Sequence, residues 1–299
     1  MARTRVRSLP DPLRATLQLA CLLLLALFLG CRTPADVSSG TDSLPPAPLE
    51  DSLFPSNLRN WSPDVAVLPY AEIGDRTVTV YNIRNISYQS DSDYVVRHYD
   101  HTFDLSRLQG LDFIVVPFKG ASALAHTMLS FDFRGDEHLC MSVEARLEQG
   151  EKYSPLSGSL RRYELIYVLA DERDVIVRRT RHRSSDVYLY HTVATPEQAR
   201  RVFVDAMKRV NKLYNEPEFY DTVTNNCTTN IVRHVNILRQ GDAPYDPRIL
   251  FTGLSDQLAF EQGLLKAEGT FEQTRQRANI TQRSNRFADQ ADYSSLIRR

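Results

Sequence analysis

The period of the apolar residues changes once along this chain, at Thr195, and that change limits what it can fold into. Before it, short runs of strand type recur at Thr77 to Tyr81, Phe113 to Pro117, His126 to Phe133, Leu139 to Ala145, Tyr163 to Leu169, Val175 to Val177 and Val187 to His191. Arg134-Gly135-Asp136, between the third and fourth runs, predicts a hairpin turn. After Thr195 the spacing becomes helical. Thr195-Pro196-Glu197-Gln198 reads as a capping box with proline in the first turn, followed by the stripe Val202, Phe203, Ala206, Val210 and Leu213, and Pro217 stops it. A second helix is expected from Cys227, capped by Asn226, carrying Ile231, Val232, Val235 and Leu238 and ending near Gly241; a third is expected within Leu254 to Leu265. Strands first and helices last predict an α+β fold, an antiparallel sheet packed with C-terminal helices.

The N-terminus is of another kind. Arg3, Arg5, Arg7 and Arg14 precede the apolar run Leu19 to Leu29, then Gly30-Cys31 and a switch to Pro/Ser/Asp-rich sequence. Eleven apolar residues fall short of the roughly 20 that span a bilayer. Residues 1–30 therefore read as a lipoprotein-type signal peptide, with Cys31 as the lipidation site or, failing that, plain cleavage. Residues 31–58 read as a flexible tether, 59–281 as the folded body and 282–299 as a polar tail, mobile except where Tyr293 and Leu296 touch the body. The expected location is the periplasmic side of a bacterial cell envelope, lipid-anchored at the inner or outer membrane. The first 30 residues hold four arginines against Asp11, so their loss takes the formal charge from −1 to −4. A mildly acidic mature chain is a poor partner for nucleic acid.

The candidate chemistry lies in Asn225-Asn226-Cys227-Thr228-Thr229 and in a lone His126 upstream. Unpaired N–H groups and the helix dipole favour a thiolate in a first helical turn, and an imidazolium nearby would favour it further. Those N–H groups, with the side chain of Asn225 or Asn226, would also meet the oxyanion formed when a thiolate attacks a carbonyl. Alternation places His126, Met128, Ser130 and Asp132 on one strand face and Thr127, Leu129, Phe131 and Phe133 on the other. Ser142 and Glu144 are the candidate orienting groups for the base. Glu144, the choice between them, faces His126 if the hairpin turn has three residues, because paired positions then sum to 270. The plainer readings are a structural histidine, a surface Glu144–arginine pair, and a Cys140–Cys227 disulfide in an oxidising compartment. The basic run Arg178 to Arg183 reads as a solvated loop balanced by nearby acids. No other histidine stands at metal-ligand spacing from a cysteine, so neither metal nor cofactor is expected.

The chain resembles the Lnb N-terminal periplasmic domain family from about Trp61 to about Arg283. The resemblance rests on Ala125-His126-Thr127 with Leu129-Ser130-Phe131, Ser142-Val143-Glu144-Ala145-Arg146, Tyr163-Glu164-Leu165 with Asp171-Glu172-Arg173-Asp174, and Pro217-Glu218-Phe219-Tyr220 leading into Asn225-Asn226-Cys227-Thr228-Thr229. That family looks like circularly permuted papain-like thiol enzymes, with histidine before cysteine, and its named member is a lipoprotein N-acyltransferase. The resemblance implies Cys227 as nucleophile, His126 as base and Glu144 as the third group. It implies a phospholipid or lipoprotein acyl substrate, but that acyltransferase carries a multi-helix membrane domain after its periplasmic part and this chain has none. Delivery of a membrane-embedded donor would then fall to a Cys31 lipid anchor or a membrane partner protein. Three functions follow: a thiol acyltransferase or acyl hydrolase working through a thioester, a periplasmic cysteine peptidase or amidase, and a non-catalytic envelope lipoprotein with a Cys140–Cys227 bridge.

Overall fold

The structure, a computed structural model, describes residues 53–238, 246–249 and 251–299. The signal-type segment, Cys31, most of the tether and Gly241 lie outside the described residues. Ten strands form the sheets: β1 Tyr70–Ile73, β2 Thr77–Arg84, β3 Ser87–Tyr88, β4 Tyr94–Val95, β5 His98–Asp104, β6 Leu108–Phe118, β7 Ala121–Phe133, β8 Glu137–Arg146, β9 Glu164–Ala170 and β10 Tyr188–His191. The main sheet runs β1-β2-β9-β8-β7-β6-β10, with β5 also on β2, and is antiparallel except where β2 meets β9. The helices are α1 Pro155–Ser159, α2 Glu172–Val177, α3 Pro196–Asn215, α4 Cys227–Asn236, α5 Ser255–Glu261, α6 Phe271–Ala278, α7 Thr281–Phe287 and α8 Tyr293–Arg298. The α+β class read from the sequence is the one observed.

The alternation of β7 sorts the two cores. Leu129, Phe131 and Phe133 join the core under α3, where Phe203 packs edge-on against Phe131 and Phe133. Met128 faces the other core, with Cys140, Val175, Ile176 and Tyr293. Val175 to Val177 is helical, not a strand: Asp171 caps the turn by accepting from the Arg173 N–H, and three apolar residues are too few to declare a period. A π-helical turn, Arg178–His182, continues it. The basic run is accordingly not a solvated loop. Arg178, Arg179 and Thr180 are buried, and Arg178 is ion-paired to Asp64 and Asp91.

The tail is folded against the body rather than extended from it. The α8 helix returns Arg298 to the sheet, where it binds Glu172, Asp112 and Ser130, while Tyr293 is buried against Ser284. Polarity marked this segment as surface, but the charge of Arg298 is taken up by the buried carboxylates of Asp112 and Glu172. The disulfide reading also fails. Cys140 and Cys227 are both free and belong to different cores on opposite faces of the sheet.

Two features of the β7–β8 hairpin position the site. Residues 134–136 form a three-residue turn with Gly135 and Asp136 at positive φ, giving Phe133↔Glu137 through Met128↔Ser142. All these pairs sum to 270, the register that directs His126 and Glu144 toward each other. The ladder then stops. Beyond Met128, β7 pairs only with β6, and beyond Ser142, β8 pairs only with β9, so the two strands part and open the sheet. A 3-10 turn, Thr252–Leu254, packs against the freed edge of β7, where Thr252 Oγ1 accepts from the Ala125 N–H at 2.6 Å.

Candidate active site

Cys227 is the first residue of α4, delivered by a tight loop. Asp221 and Asn225 exchange backbone hydrogen bonds, and the Asp221 carboxylate accepts from the N–H groups of Val223 and Thr224. Asn226 caps the helix: its Oδ1 accepts from the Thr229 N–H at 2.9 Å while Thr229 Oγ1 accepts from the Asn226 N–H at 2.8 Å. The Asn226 amide also donates to Thr222 O, and the Asn225 side chain spans Phe219 O and Asn230 Nδ2. Both side chains are thus committed within the loop. They fix the start of the helix and leave neither amide free for an oxyanion, whereas the Cys227 and Thr228 N–H groups, expected beside them, have no hydrogen-bond partner among the described residues.

Behind the loop runs a buried polar chain not foreseen from the sequence. Asn230 Oδ1 lies 3.0 Å from the Tyr167 hydroxyl, which lies 2.9 Å from His234 Nε2, and His234 Nδ1 lies 2.7 Å from Asp205 Oδ2. It ties α4 to β9 and α3, so the first turn of α4 is held rigidly.

Cys227 Sγ sits 4.0 Å from Ala125 O and 3.9 Å from Thr228 Oγ1, and the residue is 5 % exposed. His126 follows Ala125 on β7. Its Nε2 lies 2.7 Å from Ser142 Oγ, the Ser142 hydroxyl donates to Glu144 Oε1 at 2.6 Å, and Arg179 donates to the same oxygen at 3.0 Å. Because the serine proton is directed to Glu144, Nε2 must be the protonated nitrogen and donate to Oγ. The basic nitrogen is therefore Nδ1, which has no hydrogen-bond partner among the described residues. Glu144, chosen from the sequence as the direct orienting group, stands 3.7 Å from Nε2 and reaches it through Ser142.

The electrostatics follow from burial and from Arg179. Burial, then Arg179 and Arg183, push the His126 imidazole down to about 3, against an opposing pull from Glu144. Burial alone would raise the Glu144 carboxyl, but Arg179, Arg84 and His126 hold it well below the carboxylate range. The imidazole is therefore neutral near pH 7, not the imidazolium expected beside the thiol.

Cys227, His126 and Glu144 line one cleft of about 440 Å³, opened where β7 and β8 part. Its walls are largely apolar, with Val65, Val116, Leu124, Val143, Leu147 and Tyr153, and its charged side carries Lys119, Arg178, Arg179 and Arg183 with Asp64. Arg179 and Thr252 are members of this site that pattern reading did not supply.

An α+β body with a helix-start cysteine and a strand histidine in one split-sheet cleft defines a thiol-bearing domain of histidine-before-cysteine order. Residues 95–253 match the Lnb N-terminal periplasmic domain, more than half of the chain, and the chain belongs to that family. The matched stretch is shorter at both ends than Trp61 to Arg283, yet it holds His126, Ser142, Glu144, Arg179, Cys227 and Thr252. Membership makes this an envelope protein of the periplasmic side. No curated protein and no solved structure matches the chain. Among the described residues no helix is long and apolar enough to cross a membrane.

Proposed function

We propose that this protein is an envelope thiol acyltransferase or acyl hydrolase that takes acyl chains from lipid or lipoprotein esters through a thioester on Cys227. The observation that carries the reading is the shared cleft: a helix-start thiol and a neutral imidazole whose Nε2 is fixed by Ser142–Glu144–Arg179 and whose Nδ1 is unengaged. In the first step the thiol sulfur bonds to the ester carbonyl carbon as Nδ1 takes its proton, and the first-turn N–H groups meet the oxyanion. Collapse breaks the carbon–alkoxy bond, and the imidazolium returns the proton to the departing alcohol. An amine or water then attacks the thioester, losing its proton to Nδ1, and the carbon–sulfur bond breaks as the departing sulfur takes that proton back, restoring thiol and neutral imidazole.

Apolar walls beside a cationic side suit an amphiphile with a fatty chain and an anionic head. Cys31 lipidation or a membrane partner protein would bring the domain to such a donor. A second reading, a peptidase or amidase with the same acyl-enzyme, is favoured by one observation: beyond Ser142 the edge of β8 that lines the cleft pairs with no strand on its β7 side and offers backbone to an extended peptide.

Matched acyl substrates decide between them. With the same chain presented as an ester and as an amide of a short peptide, ester cleavage lost in Cys227→Ala and at least about tenfold reduced in His126→Ala supports the acyl reading. Cleavage of the amide alone would replace it with the peptidase reading, and turnover that survives Cys227→Ala would remove both.

A further inference from the structure

On the opposite side of α4 from the polar relay's loop lies a second cavity, of about 360 Å³. Its floor is the sheet, at Leu111, Phe113 and Leu129; one wall is α4, at Thr228, Ile231 and Val235, continued by Leu238; Leu258 and Ala259 of α5 face it. None of the described residues that line it is charged, whereas the cleft beside Cys227 contains Asp64, Lys119, Glu144 and three arginines.

Its position matters more than its size. Thr228 lines this cavity and Cys227 lines the cleft, so consecutive residues of one helical turn face the two spaces, with the buried Thr127–Thr228 hydroxyl pair between them. From Thr228 the groove follows α4 at positions spaced three and four apart. At 1.5 Å per residue, the ten residues to Leu238 give a length of about 15 Å. Where it begins, the Thr228 hydroxyl lies 3.1 Å from that of Thr127, so the two satisfy each other at the junction. At about 30 Å³ for each water-sized or methylene-sized unit, the volume holds roughly a dozen.

We infer that this groove is the acyl-chain site of the enzyme, taking the hydrocarbon tail of the acyl group whose carbonyl carbon is presented to Cys227. The inference rests on the thiol acyl reading and deepens it. The lining is mostly apolar, and its polar members Thr192, Gln198, Thr228, Asn236, Ser255 and Gln262 are neutral. No described lining residue supplies a counter-charge for a carboxylate or phosphate, so a hydrocarbon occupant fits it best and the head of the same amphiphile stays in the cleft beside Lys119 and Arg183. Each methylene buried there raises affinity by up to about fourfold until the groove is full.

The test separates groove from chemistry. Cys227→Ala protein is titrated with a fluorescent undecanoic acid probe, alone and with Val235→Trp or Ala259→Trp added to fill the groove, and thermal melts check folding of each; Val232→Trp replaces either one that melts early. Saturable binding, competed by lauric acid and weakened at least tenfold by the tryptophans, is expected. In the wild-type chain, the rate of Cys227 acylation by p-nitrophenyl decanoate relative to acetate is expected to fall at least tenfold on filling. Absence of saturable binding, binding indifferent to folded tryptophan variants, or self-association that the tryptophans abolish would overturn the groove assignment, even with Cys227 acylated by acetate. Probe binding without any acylation of Cys227 would instead leave the groove as a hydrocarbon site and overturn the thiol reading and the acyl-enzyme role inferred for the groove.

Discussion

The Ser142 hydroxyl lies between His126 and Glu144, 2.7 Å from the imidazole Nε2. It converts a carboxylate 3.7 Å from the ring into an orienting group by relay. Ser142→Ala is therefore expected to lower Cys227 acylation by about 10- to 100-fold at unchanged fold, with partial rescue in Ser142→Thr, read as acylation rate against thermal midpoint. Equal rates in both variants would show that Glu144 or another group fixes the ring without the serine.

Glu144→Gln is expected to act on stability as well as rate. It removes the anion that Arg179, itself buried, is paired with, and an unpaired buried guanidinium costs about 3 kcal/mol. Urea unfolding measures this; a loss within about 0.5 kcal/mol would mean that the pair is effectively solvated.

The site should make the fold acid-labile. His126 sits near 3 when folded and near 6.5 when free, so above that upper value both states are neutral and stability is full. As pH falls below about 6.5 the unfolded chain binds the proton first, and stability drains by up to about 1.4 kcal/mol per pH unit until the folded pKa is reached. Glu144, depressed in the fold, adds a loss of the same sign at lower pH. The urea midpoint is expected to fall between about pH 7.5 and about pH 5, and to fall less in His126→Gln. Identical pH dependence in the two proteins would contradict the buried neutral imidazole.

Gly253 packs its backbone against the freed edge of β7 with no room for a side chain. A Cβ there would stand 2.0 Å from Ser122 O and 2.7 Å from the Ala123 carbonyl carbon, both backbone atoms that have little room to yield. Gly253→Ala is expected to cost about 1–3 kcal/mol, measured by thermal or urea melting, and to disturb the Thr252–Ala125 contact at the cleft. A neutral substitution would mean that the turn is free to lift away from β7.

Arg298→Ala should be among the most damaging changes far from the cleft. It leaves Glu172 and Asp112 as buried carboxylates without their cation, at a cost of about 3–5 kcal/mol seen as a lowered urea midpoint. An unchanged midpoint would mean that α8 contributes nothing to the body.

What the sequence made legible was local. The alternation around His126, the Asn226 cap before Cys227, the Thr195 capping box and the existence of a hairpin turn at Arg134-Gly135-Asp136 each depend on neighbours a few positions apart, whereas the length of that turn, which sets the register, stayed open. The rest depended on contacts between distant segments. Arg179 looked solvated because its partner Glu144 lies across the sheet, 35 residues away. Gly253 looked ordinary because only β7 makes it necessary. Arg298 looked like tail because the carboxylates that bury it are on β6 and α2. The exposed β5 showed no alternation to read, since only Phe103 of its seven residues is buried.

In the proposed reaction Cys227 carries an acyl group. Intact-mass spectrometry of the mature body after incubation with a diacyl phospholipid tests it most directly, with Cys227→Ala alongside. A mass increase of one acyl chain that requires Cys227 and is released by hydroxylamine is expected. A thiol that iodoacetamide alkylates yet that never gains an acyl mass from phospholipid, lipoprotein or activated ester would contradict it.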